Sequence, residues 1–164
     1  MSREYYSYWY RLNNEDSFLI WFSNEKDGFV VNENGFVPSF SNKNDLKMYA
    51  DKIQIKVDVD NPNLTDLDII KTWLNNSEKI EDYNSFLDAW NLFEDISISS
   101  NGDFDENKEV TNDIYNRIFW GCNIPAVTPE GESFTPTWTI EELKTIRETL
   151  NYGLQMFKKK INLQ

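Results

Sequence analysis

The chain has 164 residues, 28 acids, 16 bases and a formal net charge of −12 at pH 7. This length predicts a single domain, residues 1–164, that buries roughly 70% of the surface of the unfolded chain. Histidine is absent and Cys122 is the single cysteine, which excludes Ser-His and Cys-His nucleophile pairs, imidazole metal ligands and an internal disulfide. The negative balance argues against general binding to nucleic-acid backbones, which requires lysine and arginine.

The start of the chain and its apolar runs predict a cytoplasmic protein. The longest uninterrupted apolar run, residues 18–22, is far too short to span a membrane. Residues 1–6 lack the apolar stretch and small-residue cleavage site of a secretory signal. One unpaired cysteine agrees with a reducing compartment. We therefore expect a soluble protein that does not associate with a membrane.

Aromatic and β-branched residues predict strands in the first third of the chain. Residues 5–12 and 17–23 have this composition. The Asp-Gly pair at 27–28 and the Asn-Gly pair at 34–35 each precede a short apolar run, and both pairs favour the positive φ of hairpin turns. Strict alternation of apolar and polar residues over 53–59 predicts a further, half-buried strand.

Helical spacing of apolar residues predicts one short helix and, in the last two-thirds of the chain, four longer ones. Side-chain oxygens within residues 41–44 are expected to cap the short helix. Thr65 is the predicted cap of the first long helix, which buries Ile70, Trp73 and Leu74.

The remaining long helices are predicted over 82–97, over 107–120 and from residue 140 onward. In the helix over 107–120, Val110 falls on the predicted buried stripe and Gly121 is the expected C′ residue. Residues 139–142 have the Thr-x-x-Glu pattern of a capping box, which predicts the start of the last helix.

This order of elements predicts the fold class. Strands that precede a run of helices are typical of an α+β domain rather than of a parallel βαβ fold. We expect a small, mostly antiparallel N-terminal sheet packed by about four C-terminal helices. Between the last two helices, residues 121–137 contain three prolines and two glycines, and a loop of this length is typical of a functional or packed surface loop.

Metal and catalytic chemistry lack their usual residue patterns. Residues 58–60 and 103–107 resemble the start of calcium-binding loops, but both segments lack the glycine and the final glutamate that such a site requires. A glycine-rich phosphate loop, a GxSxG turn and an HExxH helix are all missing from the sequence. Nothing in the sequence near Cys122 favours its thiolate, so we expect a small buried residue there. We predict no enzymatic activity, no metal and no cofactor.

The charge distribution points to a binding surface. Residues 58–113 contain fifteen acids and three lysines, whereas the charges of all other residues sum to zero. A concentrated negative surface attracts a basic partner and excludes nucleic acid, although the same acids would also keep helix surfaces hydrated. The candidate binding residues are Asp58, Asp60, Asp66, Asp68, Glu78, Glu81, Asp82, Asp103, Asp105, Glu106 and Glu109.

The first predicted strand is unusually aromatic. Alternation places Tyr6, Tyr8 and Tyr10 on one face and Trp9 on the other. Tyrosine and tryptophan are enriched in protein interfaces, so this strand is a second candidate for a contact surface, core packing being the alternative.

Two segments carry a resemblance to a known family. Residues 86–96 (FLDAWNLFEDI) and 118–129 (IFWGCNIPAVTP), together with 38–50, resemble small bacterial immunity proteins of contact-dependent growth inhibition and related polymorphic toxin systems. The resemblance implies a cytoplasmic protein that binds one cognate toxin domain and has no enzymatic activity.

Combined with the negative charge, this resemblance leads us to expect an antitoxin for a basic nuclease domain that covers the active site or the substrate path. Two alternatives remain at this stage. One is an acidic adaptor or regulatory module for a basic host protein, and the other is a hydrolase that uses carboxylates from residues 58–113.

Overall fold

The computed structural model describes residues 2–60, 63–76, 79–104 and 108–162. In these residues the chain forms an α+β domain, in which a mixed, mostly antiparallel sheet packs against five helices, and the predicted fold class is confirmed. The strands are β1 Glu4–Leu12, β2 Glu15–Ser23, β3 Gly28–Phe29, β4 Val57–Asp58 and β5 Leu64–Asp66. The helices are α1 Lys43–Lys52, α2 Leu67–Asn76, α3 Tyr83–Ser99, α4 Lys108–Gly121 and α5 Ile140–Lys160.

The β1–β2 hairpin forms the centre of the sheet, and the other strands pair with its two edges. Its turn residues, Asn13 and Asn14, have φ of 56° and 59°, the left-handed pair that a type I′ turn requires. β3 extends the sheet beyond β2 in the antiparallel sense. β4 and β5 both pair in parallel with the other edge of β1, at Tyr5–Tyr6 and Trp9–Arg11 respectively. The acids of β4 and β5 therefore lie along one edge of the sheet.

The sheet has helices on both faces. Successive side chains of a strand point to opposite faces. Tyr10 and Leu12 are buried on the face that carries the C-terminal helices, where the Tyr10 ring centroid lies 5.1 Å from that of Phe157 in α5. Ile20 points to the opposite face, where α1 packs on β2 and buries Leu46. The hairpin thus lies between α1 and the C-terminal helices.

Helix α3 runs through the centre of the domain and contacts α2, α4, α5, β3 and β5. Its predicted apolar stripe is confirmed, since Trp90 and Phe93 are completely buried. α5 approaches α3 at Gly153, where a Cβ atom would lie 2.3 Å from Cδ2 of Phe93 and 2.8 Å from Cε1 of Phe104. The absence of a side chain at Gly153 is what lets the two helices come this close.

The predicted strand over 53–59 is wrong for most of its length. α1 continues to Lys52, and Gln54 then takes a left-handed φ of 62° as the chain leaves the helix. Ile55 is still half-buried, in keeping with the alternation, but only Val57–Asp58 pairs with β1. The alternation of apolar and polar residues therefore indicated partial burial but not strand pairing. The N–H groups of Ile53 and Ile55 donate to carbonyl oxygens of α1.

One of the two predicted glycine turns has the expected geometry. Gly35 has a φ of 85°, and its N–H donates to the carbonyl oxygen of Asn32. Gly28 lies in β3 without a positive φ, where a Cβ would lie 2.8 Å from Oγ of Ser99. The expectation of a turn at 27–28 is therefore corrected: this glycine permits close packing against α3. Residues 36–37 lie outside the strands.

The start of α2 differs from the prediction because the chain forms a strand there. Thr65 belongs to β5, and its hydroxyl shares a hydrogen bond of 2.7 Å with the buried hydroxyl of Tyr8. Asp66 provides the side-chain acceptor at the start of the helix instead, since its Oδ1 accepts from the N–H of Asp68 at 3.0 Å. Pairing with β1 outweighs the local capping preference of threonine.

The end of α4 is also corrected. Gly121 is the last helical residue and packs tightly, with a built Cβ 3.0 Å from both Pro136 and Tyr83. The left-handed residue after the helix is Asn123, with φ of 49°. Val110 is exposed rather than buried, because the α4 stripe that faces the core passes through Ile114 and its helical neighbours. The capping box at the start of α5 and the N-cap region of α1 are confirmed.

Candidate functional site

Four of the predicted binding acids follow the β1 edge of the sheet. Asp58 is paired with Tyr6 near the start of β1, and Asp60 follows two residues later. Asp66 and Asp68 lie beside its end, where Asp66 is paired with Arg11. Five residues of β-strand separate the two pairs, which is about 16 Å. The edge is therefore acidic at both ends.

The other predicted acids lie around α3 and α4. Glu81 and Asp82 precede α3, whereas Asp103 follows it, and a helix of 17 residues is about 25 Å long. Glu109 is exposed in the first turn of α4. The predicted residues that lie outside the described part of the chain are Glu78, Asp105 and Glu106. The described acids thus form several groups on the surface rather than one compact cluster.

Asp68 has a structural role that sequence reasoning missed. Its two carboxylate oxygens accept the N–H groups of Asn13 and Asn14 at 2.6 and 2.8 Å. Lys71, one turn further along α2, donates to the side-chain oxygen of Asn13 at 2.5 Å. The β1–β2 turn is therefore held onto α2 by charge-assisted hydrogen bonds.

Asp68→Ala is expected to lower the free energy of unfolding by about 1–2 kcal/mol, because two backbone donors of a left-handed turn lose a charged acceptor but remain accessible to water. Asp68→Asn keeps one acceptor oxygen and should cost less. Chemical denaturation measures both values, with Glu81→Ala at an exposed position as the control. Equal stability of Asp68→Ala and the control would contradict this role.

Four more of the predicted acids accept hydrogen bonds within the protein. Asp58 accepts from the N–H of Asp60 at 2.9 Å, and Asp66 accepts from the N–H of Asp68 at 3.0 Å. Asp82 is the N-cap of α3 and accepts from the N–H and the hydroxyl of Ser85 at 3.0 and 2.7 Å. Asp103 accepts from the hydroxyl of Tyr152 in α5. Changes at Asp68, Asp82 or Asp103 therefore disturb local structure as well as surface charge.

A second acidic strip lies on α3 itself. Asp88 and Asp95 are seven residues apart and so project from the same side of the helix. Burial, and to a lesser extent Asp82, raises the pKa of Asp88. Burial, Glu94 and Asp27 raise the pKa of Asp95 to about 6. Ionisation of either carboxylate therefore comes at a cost to folding.

Asp95→Asn is expected to stabilise the protein at pH 7.5 by about 1 kcal/mol, a value discounted for the solvent that reaches this carboxyl. The pKa of Asp95 in the folded protein lies above the unfolded value of about 3.9, so its ionisation destabilises the fold as pH rises from about 4 to about 6. The gain should therefore vanish near pH 4.

Denaturation of Asp95→Asn at both pH values measures the difference, and Glu25→Gln, at an exposed position, is the matched control. A gain of the same size at pH 4 and pH 7.5 would show that packing of the amide, rather than the charge of Asp95, is responsible.

Cys122 is half-buried at the end of α4, and its thiol donates to the carbonyl oxygen of Ile118 at 3.4 Å. Burial raises its pKa to about 11, with smaller contributions from Asp88 and Asp82. The thiol is therefore protonated at neutral pH, which suits a packed residue rather than a nucleophile.

The loop between α4 and α5, residues 122–139, carries exposed apolar residues. Trp120, in the last turn of α4, and Val127 and Phe134 in the loop are each more than two-fifths exposed. Together they line an open groove of about 440 Å³, which we call the Trp120 groove. The prolines and glycines of the loop predicted its irregular path, but no sequence pattern indicates that these three residues share one groove.

The aromatic residues of β1 have mostly internal roles. Tyr10 is buried against α5, and its hydroxyl shares a hydrogen bond of 2.6 Å with that of Ser39. Tyr8 packs edge-on against Phe29. Tyr6 and Trp9 are half-buried. Tyr8 and Tyr10 thus pack into the interior, whereas Tyr6 and Trp9 keep part of their surface exposed.

The described residues contain neither a metal-binding cluster nor a helix that could span a membrane. Within residues 2–60, 63–76, 79–104 and 108–162, no three acidic or cysteine side chains come close enough together to hold a metal ion. Among the described helices, none is both long and apolar enough to cross a lipid bilayer.

Comparisons with protein-family models, with curated proteins and with solved structures find no match to this chain.

Proposed function

We propose that this chain is an immunity protein that binds a cognate toxin domain and neutralises it by covering its active site or substrate path. The observation that carries the proposal is the placement of charge: the whole net charge of −12 falls within residues 58–113. The described acids of this segment lie at the surface of the fold, at one sheet edge and around α3 and α4. Such a surface favours encounter with a positively charged protein.

A basic nuclease is the toxin class that this surface suits best. Nucleases need lysine and arginine to hold phosphate groups, and a negative protein surface competes for the same positive cleft. The resemblance of residues 86–96 and 118–129 to immunity proteins supports the same conclusion. It also supports a role in binding rather than in catalysis.

Coexpression tests the proposal directly. The protein encoded by the neighbouring reading frame is taken as the candidate toxin and is expressed in a bacterial host with and without this chain. We expect growth to be restored, a stable complex to co-purify, and the nuclease activity of the purified toxin domain to fall to background at equimolar inhibitor. Absence of both protection and complex would overturn the proposal. Co-purification with a basic host protein instead would favour an adaptor.

A further inference from the structure

The Trp120 groove joins the last turn of α4 to the following loop. Trp120 and Val127 are each 46% exposed and Phe134 is 42% exposed, although all three are large and apolar. Pro129 adds a further apolar wall to the same groove. Apolar residues scattered singly on a surface need no explanation, whereas several in one groove mark a site of interaction.

The groove is held open by hydrogen bonds of the loop itself. The amide of Asn123, at a φ of 49°, donates to the carbonyl oxygen of Phe134 at 3.0 Å and accepts from the N–H of Phe134 at 2.7 Å. The same amide donates to the carbonyl oxygen of Gly121 at 3.1 Å. Both walls of the groove are thereby fixed to each other before any partner binds.

The far end of the loop is anchored to the core. The indole N–H of Trp138 donates to the hydroxyl of Tyr83 at 2.8 Å. The guanidinium of Arg117 lies 4.5 Å from the centre of the Trp138 ring and donates to the carbonyl oxygen of Thr137. Because the loop is already ordered, a partner that enters the groove avoids most of the entropy cost of fixing it.

The surroundings of the groove are negative. Residues 109–139 contain four acids and one base, and that base, Arg117, is paired with Asp113 and Glu142. Glu132 lines the groove, and Glu130 is exposed in the same loop.

On α4, Glu109 and Asp113 lie eleven and seven residues before Trp120, spacings that place all three on one face of the helix. The carboxylates are exposed along this face, and the indole lies at its end. An apolar centre with acids beside it matches the usual arrangement of a protein interface, in which a buried anchor is surrounded by a polar rim.

We propose that the Trp120 groove anchors the toxin domain by receiving one of its aliphatic or aromatic side chains, while lysine or arginine residues next to that side chain pair with Glu130 and Glu132. A further cation of the partner pairs with Glu109, about 16 Å away along α4. This inference rests on the proposed function and specifies the contact surface. The charge around the groove decides the chemistry of the occupant, because an apolar side chain flanked by acids would be repelled.

The test compares exposed apolar residues inside and outside the groove. The double variant Trp120→Ala/Phe134→Ala should weaken binding of the toxin domain found by the coexpression test by about 100-fold, chiefly through faster dissociation. Met48→Ala is the matched control, because Met48 is 70% exposed on α1, across the sheet from α4. It should change the dissociation constant by less than about threefold.

A charge variant tests the same groove without removing an aromatic ring. Val127→Lys places a cation among the acids, where it would face the cations of the partner, so binding should again fall by tenfold or more. Circular dichroism and thermal unfolding of each variant confirm that the fold is kept. Wild-type-like binding by both variants would overturn the anchor.

The outcomes separate this inference from the proposed function. A wild-type protein that neither protects against the toxin domain nor binds it would overturn both. A wild-type protein that protects, with Trp120→Ala/Phe134→Ala and Val127→Lys protecting equally well, would overturn the groove alone and leave the immunity function in place.

Discussion

Raising the salt concentration from about 50 mM to about 500 mM is expected to slow association with the toxin domain by about tenfold or more and to leave dissociation nearly unchanged. The screening length falls from roughly 14 Å to roughly 4 Å over this range, so the attraction between the acidic segment and a basic partner weakens before contact is made. Stopped-flow or biosensor measurement of both rates gives the result.

Charge variants locate this effect on the surface. Asp68, Asp82 and Asp103 are hydrogen-bonded within the fold, so they are poor positions at which to test charge alone. Asp58 and Asp66 also accept backbone N–H groups, at 2.9 and 3.0 Å. A better threefold variant neutralises exposed acids as amides. It combines Asp60→Asn, Glu81→Gln and Glu109→Gln. We expect its association rate to fall by about tenfold at low salt.

The matched control removes the same number of charges from exposed acids outside residues 58–113. It combines Glu25→Gln, Glu33→Gln and Asp51→Asn. Its association rate should fall clearly less, since steering depends on where the charges lie as well as on their sum. Equal rates for the two variants, or association that does not respond to salt, would show that the acids of 58–113 serve only to keep the protein hydrated.

Gly153→Ala is expected to lower the free energy of unfolding by about 2 kcal/mol, even though alanine favours helices by about 1 kcal/mol over glycine. The added methyl group would lie 2.3 Å from Cδ2 of Phe93 and 2.8 Å from Cε1 of Phe104. Both rings are buried, and Phe93 also contacts Phe157, so they have little room to move. Overpacking therefore outweighs the gain in helix propensity.

Chemical denaturation measures this cost, with Asn151→Ala as the control, because Asn151 is exposed on the same helix. The control should be neutral or slightly stabilising. If Gly153→Ala were as stable as Asn151→Ala, α3 and α5 would have to lie further apart than the built Cβ indicates.

The sequence predicted long elements well and short ones poorly. The stripe that buries Trp90 and Phe93 and the capping box that starts α5 depend on neighbours within a few residues, so both could be recognised directly. The structures of segment 53–59 and of Thr65 could not be recognised in this way, since each local sequence is compatible with two structures. Pairing with β1 places Thr65 in β5. The end of α1 leaves only Val57–Asp58 of the segment paired with β1.

The candidate site divides in the same way. The concentration of acid in residues 58–113 can be counted in the sequence. The hydrogen bonds from the β1–β2 turn to Asp68 connect residues that are separated by 54 and 55 positions in the sequence, so no local pattern reveals them. The Trp120 groove likewise depends on the bonds between Asn123 and Phe134, eleven residues apart.

By itself the sequence determined the charge of −12 and its location, the lack of histidine chemistry, and the order of strands before helices, because these are properties of composition and of short-range periodicity. Only the tertiary structure decided which acids are exposed and which hold turns and helix ends. It also decided that Trp120, Val127 and Phe134 share one groove. Those outcomes depend on contacts between distant parts of the chain, whose energies are set by packing and hydrogen bonding rather than by local propensity.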